Sequence, residues 1–108
     1  MKTLRETCID TGVSRRGLQW YEQAGLIHPS GHNGRGHLLY DTDTISRIKQ
    51  IRLLQEFGFS VKEITNIIDL PASELKKSLT EQLPKLEEKH NQMHETIGKI
   101  KKMIDSLG

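Results

Sequence analysis

The chain of 108 residues contains little of what several common protein classes need. Its single cysteine, Cys8, excludes an intramolecular disulfide framework and any metal site built only from the cysteines of one chain. No apolar run approaches the ~18–20 residues of a membrane span, and the N-terminus has no apolar signal core, so we expect a cytoplasmic protein. With 34% apolar residues, its core must be small.

Patterns typical of catalysis are also missing. There is no Ser/His/Asp or Cys/His arrangement with a supporting motif, and the glycine spacing of residues 31–36 lacks the strand and helix of a nucleotide site. His28, His32 and His37 have no acid or cysteine nearby to complete a metal site. We therefore expect no enzyme, no cofactor and no metal.

The net charge of +2 is too small to indicate a nucleic-acid partner by itself, so position is more informative. Residues 1–40 hold five Lys/Arg against three acids, and the basic side chains gather at Arg15-Arg16 and Arg35. Charge placed in this way favours a binding protein that directs its basic groups at one partner.

The first 25 residues predict two short helices joined by a turn. The first spans residues 3–10 and ends before Gly12, and Ser14 is the expected N-cap of the second. The expected inward face of the first helix is Leu4, Cys8 and Ile9; that of the second is Leu18, Tyr21 and Ala24. Cys8 is expected to act as a small apolar residue rather than a redox group.

The second helix leaves Arg15, Arg16 and Gln19 on its exposed face. These side chains either contact DNA or form a solvated helix face, and the wing that follows favours DNA. Gln19 is suited to reading adenine through two hydrogen bonds. Of Trp20 and Tyr21, one is expected to pack inside and the other to reach a phosphate.

Residues 26–40 predict a β-hairpin that carries His32, Arg35 and His37. Leu26-Ile27 and residues 38–40 are the expected strands, and the turn residues of 29–36 lie between them. A helix-turn-helix followed by such a basic wing is how a small domain places one element in a DNA groove and another on the flanking phosphates.

Two further helices are expected before residue 70. Asp41 or Asp43 begins the first, and residues 57–60 end it. Ser60 with Glu63 three residues later predicts a capping box for the second. The spacing of Ile45, Ile48 and the apolar residues after them is helical.

The tail, residues 71–108, carries a heptad pattern. Apolar residues alternate in steps of four and three over four heptads, which predicts a coiled coil that pairs with a second chain. The seam residues are Leu79, Leu83, Leu86, His90, Met93, Ile97, Ile100, Ile104 and Leu107. Pro84 and Gly98 lie at b positions, away from the seam; either the helix restarts at Thr80 or it bends there.

His90 and His94 stand four residues apart on the predicted helix, a spacing that can chelate a metal. His90 occupies an a position, where a polar residue more often sets register or partner. A weak pH dependence of dimerisation is the remaining hypothesis, because imidazolium is unfavourable inside a seam.

The chain resembles the MerR family of bacterial transcription regulators. The resemblance covers essentially the whole sequence and lies in the runs 13–22, 25–27, 36–40 and 57–64, in this order and before a coiled coil. It implies a mainly α fold, a winged helix-turn-helix head (1–70) followed by a linker and dimerising coiled-coil helix (71–108). It also implies an antiparallel homodimer, a pseudo-palindromic promoter site on double-stranded DNA, distortion of the promoter spacer and a contact with RNA polymerase.

The chain departs from the family pattern in two places. Residues 16–21 read Arg-Gly-Leu-Gln-Trp-Tyr where Arg-Thr-Leu-Arg-Tyr-Tyr is common, and residues 36–40 lose an arginine of the wing. The expected DNA contacts are Ser14, Arg15, Arg16, Gly17, Gln19, Trp20, Tyr21, His32, Arg35, His37 and Tyr40, with Lys49, Arg52 and Lys62 in the second wing formed by the third and fourth helices. Two alternatives stay open: an architectural DNA-bending protein of a mobile element, and a coiled-coil protein-interaction module.

Overall fold

The computed structural model describes all 108 residues, which divide into two compact units, Met1–Leu70 and Pro71–Gly108. In chain order the elements are β1 (Lys2–Thr3), α1 (Leu4–Thr11), α2 (Arg15–Gln23), β2 (Gly31–His32), β3 (Leu38–Tyr40), α3 (Thr42–Glu56), α4 (Val61–Ile67) and α5 (Ala72–Ser106). The predicted fold class is confirmed: the chain is mainly helical, with a helix-turn-helix, a small wing and a long C-terminal helix.

Helix α1 begins with a capping box that the sequence analysis did not identify. The Thr3 hydroxyl accepts from the Glu6 N–H, and the Glu6 carboxylate accepts from the Thr3 N–H. Hydrogen bonding of the Glu6 carboxylate to the Thr3 backbone N–H, and to the Thr3 side chain, holds the pKa of Glu6 below its ordinary value. The helix ends at Gly12, whose positive φ of 74° supplies the left-handed C-cap.

The inward face of α1 differs from the prediction. Thr7 and Thr11 are buried, whereas Ile9 is 75% exposed. Both threonine hydroxyls donate to the carbonyl four residues earlier, so they enter the core with their polar groups satisfied. The prediction that Ile9 faces inward was therefore wrong, because α1 places its threonines on the buried face.

The turn and α2 follow the prediction more closely. Val13 is buried, Ser14 caps α2 by accepting from the Gly17 N–H, and Leu18 and Tyr21 are buried. Gly17 lies close to the turn, since a Cβ there would stand 2.8 Å from Val13 Cγ1. The start of α2 thus packs closely against the turn.

The wing is a three-stranded antiparallel sheet in the order β1-β3-β2. The predicted hairpin is present as β2 and β3, but Leu26 and Ile27 belong to the core rather than to its first strand. β1 pairs with β3, Lys2 opposite Tyr40, and a strand of two residues has no periodicity by which a sequence could predict it. The Asn33 carboxamide oxygen holds the turn by accepting from the N–H groups of Arg35 and His37.

The core lies where α3 and α4 meet the helix-turn-helix. Asp41 is the N-cap of α3, and Ser60 with Glu63 forms the predicted capping box of α4. The helical spacing predicted from Ile45 and Ile48 is correct, and both residues are buried. The other buried apolar residues of these helices are Ile51 and Leu54 of α3 and Val61, Ile64 and Ile68 in and after α4.

Arg47 ties three segments of the first unit together. Its Nε donates to the Leu26 carbonyl at 2.6 Å, and its two terminal nitrogens donate to the Asp69 carboxylate at 2.8 and 3.0 Å. The bidentate pair lowers the pKa of Asp69 and raises that of Arg47. The loop after α2 and the segment after α4 are thus both held to α3.

The second unit is the single helix α5, about 52 Å long at the standard rise. It continues through Pro84, so the predicted restart at Thr80 does not occur; the bend there stays a prediction. None of its residues is buried in this chain. No helix of the protein has the length and apolar character to cross a membrane.

Candidate nucleic-acid interface

Helix α2 presents one polar face outward. Arg15, Arg16 and Gln19 are exposed, while Leu18 and Tyr21 on the opposite face are buried. This is the arrangement that the spacing of α2 predicted, with two arginines and a carboxamide on the free face. Ser14 caps the start of this helix by accepting from the Gly17 N–H.

The structure decides between the two neighbouring aromatic residues of α2. Tyr21 is 2% exposed and its hydroxyl donates to the Gln55 side-chain oxygen of α3, while Trp20 is 54% exposed. Burial raises the pKa of Tyr21 above its ordinary value. Trp20 is therefore the aromatic residue available to a ligand, and Tyr21 orients Gln55 from inside.

On one side of α2 lies an open groove of about 800 Å³, here named the α2/α3 groove. Arg16, Trp20 and Gln23 line it from α2, and Arg52 and Gln55 line it from α3. Because Tyr21 occupies the Gln55 oxygen, the carboxamide nitrogen of Gln55 is the group left to donate into the groove.

Arg52 is held in place at the edge of this groove. Its Nη1 donates to the Thr11 carbonyl at 3.3 Å, and its guanidinium lies over Gly12, where a Cβ would stand 3.1 Å from that nitrogen. A guanidinium has five N–H donors, so this single bond leaves others for an anion. Arg52 thus both supports the helix-turn-helix turn and offers charge at the groove.

A smaller cleft of about 310 Å³, here named the α1/wing cleft, lies beside the start of α2. It is lined by Thr3, Leu4, Arg5, Arg15, His37 and Leu38. Sequence reasoning selected Arg15 and His37 but not Arg5, since only the packing of β1 and α1 against the wing brings Arg5 beside them. No local sequence signal identifies Arg5.

At the wing, His32 and Arg35 are exposed and carry no ion pair. Tyr40 requires a correction. Its side chain is 2% exposed, and burial raises its pKa, so it belongs to the core rather than to the predicted DNA-contacting set. Its place opposite Lys2 on the central strand turns the ring inward.

The lysines predicted for the second wing differ in their surroundings. Lys49 Nζ lies 3.4 Å from an Asp10 carboxylate oxygen, and Lys2 Nζ lies 3.7 Å from the other. Lys62 is exposed in the first turn of α4 and forms no ion pair. Of the two, Lys62 therefore offers its full charge to a partner. The chain contains no group of three or more His, Cys, Asp or Glu residues that could hold a metal ion.

The fold and this surface define the class of winged helix-turn-helix proteins. Residues 2–70 match the family model "MerR HTH family regulatory protein", and residues 45–108 match "MerR, DNA binding". The chain belongs to the MerR family of DNA-binding transcription regulators, as the resemblance predicted.

Curated relatives match most of this chain. The transcriptional activator TipA of Streptomyces coelicolor is 33% identical over 89% of the chain, and the activator mta of Bacillus subtilis is 33% identical over 90%. These matches cover 35% and 38% of the two relatives, so the chain spans little more than a third of their length. An HTH-type transcriptional regulator of Synechocystis is 30% identical over 99% of the chain and 77% of its own length.

Solved structures show the same fold. The N-terminal part of the B. subtilis multidrug transporter activator superimposes with a TM-score of 0.75 at 30% identity, covering 96% of this chain and 98% of that one. A MerR-family regulator from Bacillus cereus gives 0.81 at 26% identity over 94% and 78%. HiNmlR, a regulator lacking the sensor domain and bound to promoter DNA, gives 0.70 at 18% identity over 89% and 77%.

Proposed function

We propose that the chain is a sequence-specific transcription regulator that acts as a homodimer on a pseudo-palindromic promoter site. The observation that carries the proposal is the exposed polar face of α2, whose Arg16 and Gln19 line the α2/α3 groove and whose Arg15 lines the α1/wing cleft. A helix 10–12 Å across fits the DNA major groove, about 12 Å wide, and that groove is bordered by two phosphate backbones. The exposed face of α2, with its two arginines and a carboxamide, has the size and the donors to enter such a groove.

Within this surface the residues divide by role. Gln19 and Arg16 point outward from α2 and are assigned to base edges, where one bidentate pair is worth ~1–3 kcal/mol of discrimination. The backbone-contacting set is Ser14, Arg15, Gly17, Trp20, His32, Arg35, His37, Arg52 and Lys62, with Lys49 held back by Asp10. Phosphate contacts set the register, and the base contacts select the sequence.

The homodimer is supported by the exposed seam of α5. Six seam residues, Leu83, Met93, Ile97, Ile100, Ile104 and Leu107, are between 43% and 81% exposed in the single chain. A continuous apolar stripe of this length is unfavourable in water unless another helix covers it. An antiparallel pair has a two-fold axis, which relates two heads in the way a pseudo-palindrome relates two half-sites.

Spacer distortion and a contact with RNA polymerase complete the proposal. The family implies that such regulators bend and untwist an over-long promoter spacer, which makes DNA deformability part of recognition. The B. subtilis and Streptomyces relatives are named as transcriptional activators. Transcription from a promoter carrying the selected site, with purified polymerase, tests this step and separates a regulator from an architectural DNA-bending protein.

The first experiment is selection of the full chain against random-sequence duplex DNA at near-physiological salt. We expect enrichment of an inverted repeat. Binding without enrichment and with a steep salt dependence would instead favour an architectural protein. No DNA binding at all would leave a coiled-coil interaction module.

On the selected duplex, Arg16→Ala is expected to weaken binding by ~1–3 kcal/mol and to relax specificity at one base pair. Lys99→Ala is the matched control, because it also removes one exposed cation but lies on α5. An unchanged affinity of Arg16→Ala would remove that residue from the base-contacting set.

A further inference from the structure

We propose that the α1/wing cleft is a binding site for one phosphodiester of the DNA backbone, with Arg5 and Arg15 as its two cationic groups. The inference rests on the proposed function and adds Arg5, which lies outside every motif of the chain. Its basis is the convergence of three elements, since Arg5 comes from α1, Arg15 from α2 and His37 from the segment before β3.

Both guanidinium groups of the cleft are free to take an anion. The ion pairs of the chain involve Lys2, Arg47 and Lys49, so Arg5 and Arg15 have no acidic partner. The nearest acid in sequence, Glu6, is already engaged as the capping-box partner of Thr3. No ion pair within the chain therefore engages the two guanidinium groups of the cleft.

The apolar walls of the cleft strengthen the electrostatic field of its cations. Leu4 and Leu38 are half-buried and line it together with the cations. Apolar walls lower the local dielectric and focus the field of the two guanidinium groups. A phosphodiester presents two anionic oxygens to which planar guanidinium groups donate in pairs, and the His37 ring adds a further N–H donor.

The position of the cleft identifies which anion reaches it. Arg15 is the first residue of α2, so the cleft opens beside the N-terminal end of the helix assigned to the major groove. The α2/α3 groove is lined by other residues of the same helix, among them Arg16 and Trp20. When α2 occupies a major groove, one strand's backbone lies along each side, and the α1/wing cleft takes a phosphate of one strand.

The test uses the full chain and the selected duplex. Arg5→Ala is expected to weaken binding about tenfold and to lower the slope of log affinity against log salt by about 2, because the homodimer loses one phosphate contact in each half-site. Arg5→Lys is expected to restore the slope and part of the affinity, because it keeps the charge but not the planar fork. Lys99→Ala, the cation control on α5, is expected to change neither quantity.

A second experiment, in which the DNA rather than the protein is modified, identifies the phosphate. Each backbone phosphate of the half-site is replaced in turn by an uncharged methylphosphonate, and affinities of the wild-type chain and Arg5→Ala are compared. At one phosphate per half-site we expect the substitution to weaken the wild type at least about tenfold and to weaken Arg5→Ala less, because only Arg15 then still contacts that phosphate. On the duplex with that phosphate neutralised, Arg5→Ala and Arg15→Ala are each expected to bind as tightly as the wild type, because both residues act on the same phosphate.

Two results would overturn the inference. One is an Arg5→Ala variant that binds DNA as tightly as the wild type. The other is an Arg5→Ala variant that binds more weakly than the wild type whichever phosphate is neutralised, which would mean that Arg5 acts on the overall charge and contacts no single phosphate. A wild-type chain that binds no DNA would overturn the proposed function as well. Thermal unfolding of Arg5→Ala, expected to match wild type because Arg5 is exposed, excludes a folding defect as the cause.

Discussion

The two units of this chain are both helical but differ in whether their apolar residues are buried within the chain. The fourteen buried apolar residues of the chain all lie in Met1–Leu70, whereas none of α5 is buried. Ile48 of α3 and Ile104 of α5 follow equally regular helical spacings, yet the first is 0% exposed and the second 62%. Helical spacing therefore predicts which face is apolar but not whether the same chain covers it.

The first prediction concerns the uncovered apolar stripe of α5. Ile97→Lys places a charge in the α5 seam, and each chain of the proposed dimer also loses an apolar contact worth ~1.5–3 kcal/mol. We expect the dimer Kd to rise more than about a thousandfold. Sedimentation over a range of concentrations measures this.

Asn91→Lys is the control for this prediction, since it adds the same side chain at a b position away from the seam. It is expected to leave self-association nearly unchanged. Equal self-association of both variants would show that the heptad stripe is not the interface.

The second prediction concerns the buried core of the first unit, Met1–Leu70. Ile48→Ala removes a fully buried side chain from the core of the first unit and is expected to lower the free energy of unfolding by about 2–5 kcal/mol. Ile9→Ala, at a 75% exposed position, is expected to change it by less than about 0.5 kcal/mol. Urea unfolding of both variants measures the difference, and similar losses would mean that Ile9 is covered in the assembled protein.

The third prediction concerns the interior of α5. Pro84 interrupts the helical hydrogen bonds without ending the helix, so Pro84→Ala is expected to stabilise α5 by up to about 3 kcal/mol. Gly98→Ala, also at a b position, is expected to contribute about 1 kcal/mol. Thermal melting followed by circular dichroism ranks the two, and a destabilised Pro84→Ala would mean that the dimer requires a bent helix.

The smallest effect is expected at the Arg47–Asp69 pair. Arg47 holds the pKa of Asp69 below its ordinary value of 3.8, so the stabilisation is present above that value and is lost as pH falls through the lowered one. Asp69→Asn is therefore expected to reduce the difference between urea midpoints at pH 7 and pH 3. In an Arg47→Gln background the same substitution should have no further effect on that difference, and an undiminished effect there would assign the shift to another group.

The local features of the fold were predictable because neighbouring residues cause them. Ser14 and Ser60 cap helices through backbone groups only three residues away, and the α3 spacing selects its buried face by the geometry of a single helix. The heptad pattern of α5 is local in the same sense. Each of these features depends on residues within a few turns of one another.

What the sequence determined by itself was thus the order of the elements, the caps, the exposed basic face of α2 and the apolar stripe of α5. Only the tertiary structure decided that Tyr21 rather than Trp20 turns inward, that Tyr40 is buried, and that Ile9 is left in solvent. It also brought Arg5 beside Arg15 and His37. The physical reason is that these outcomes depend on contacts between elements far apart in the chain, for which no local spacing carries a signal.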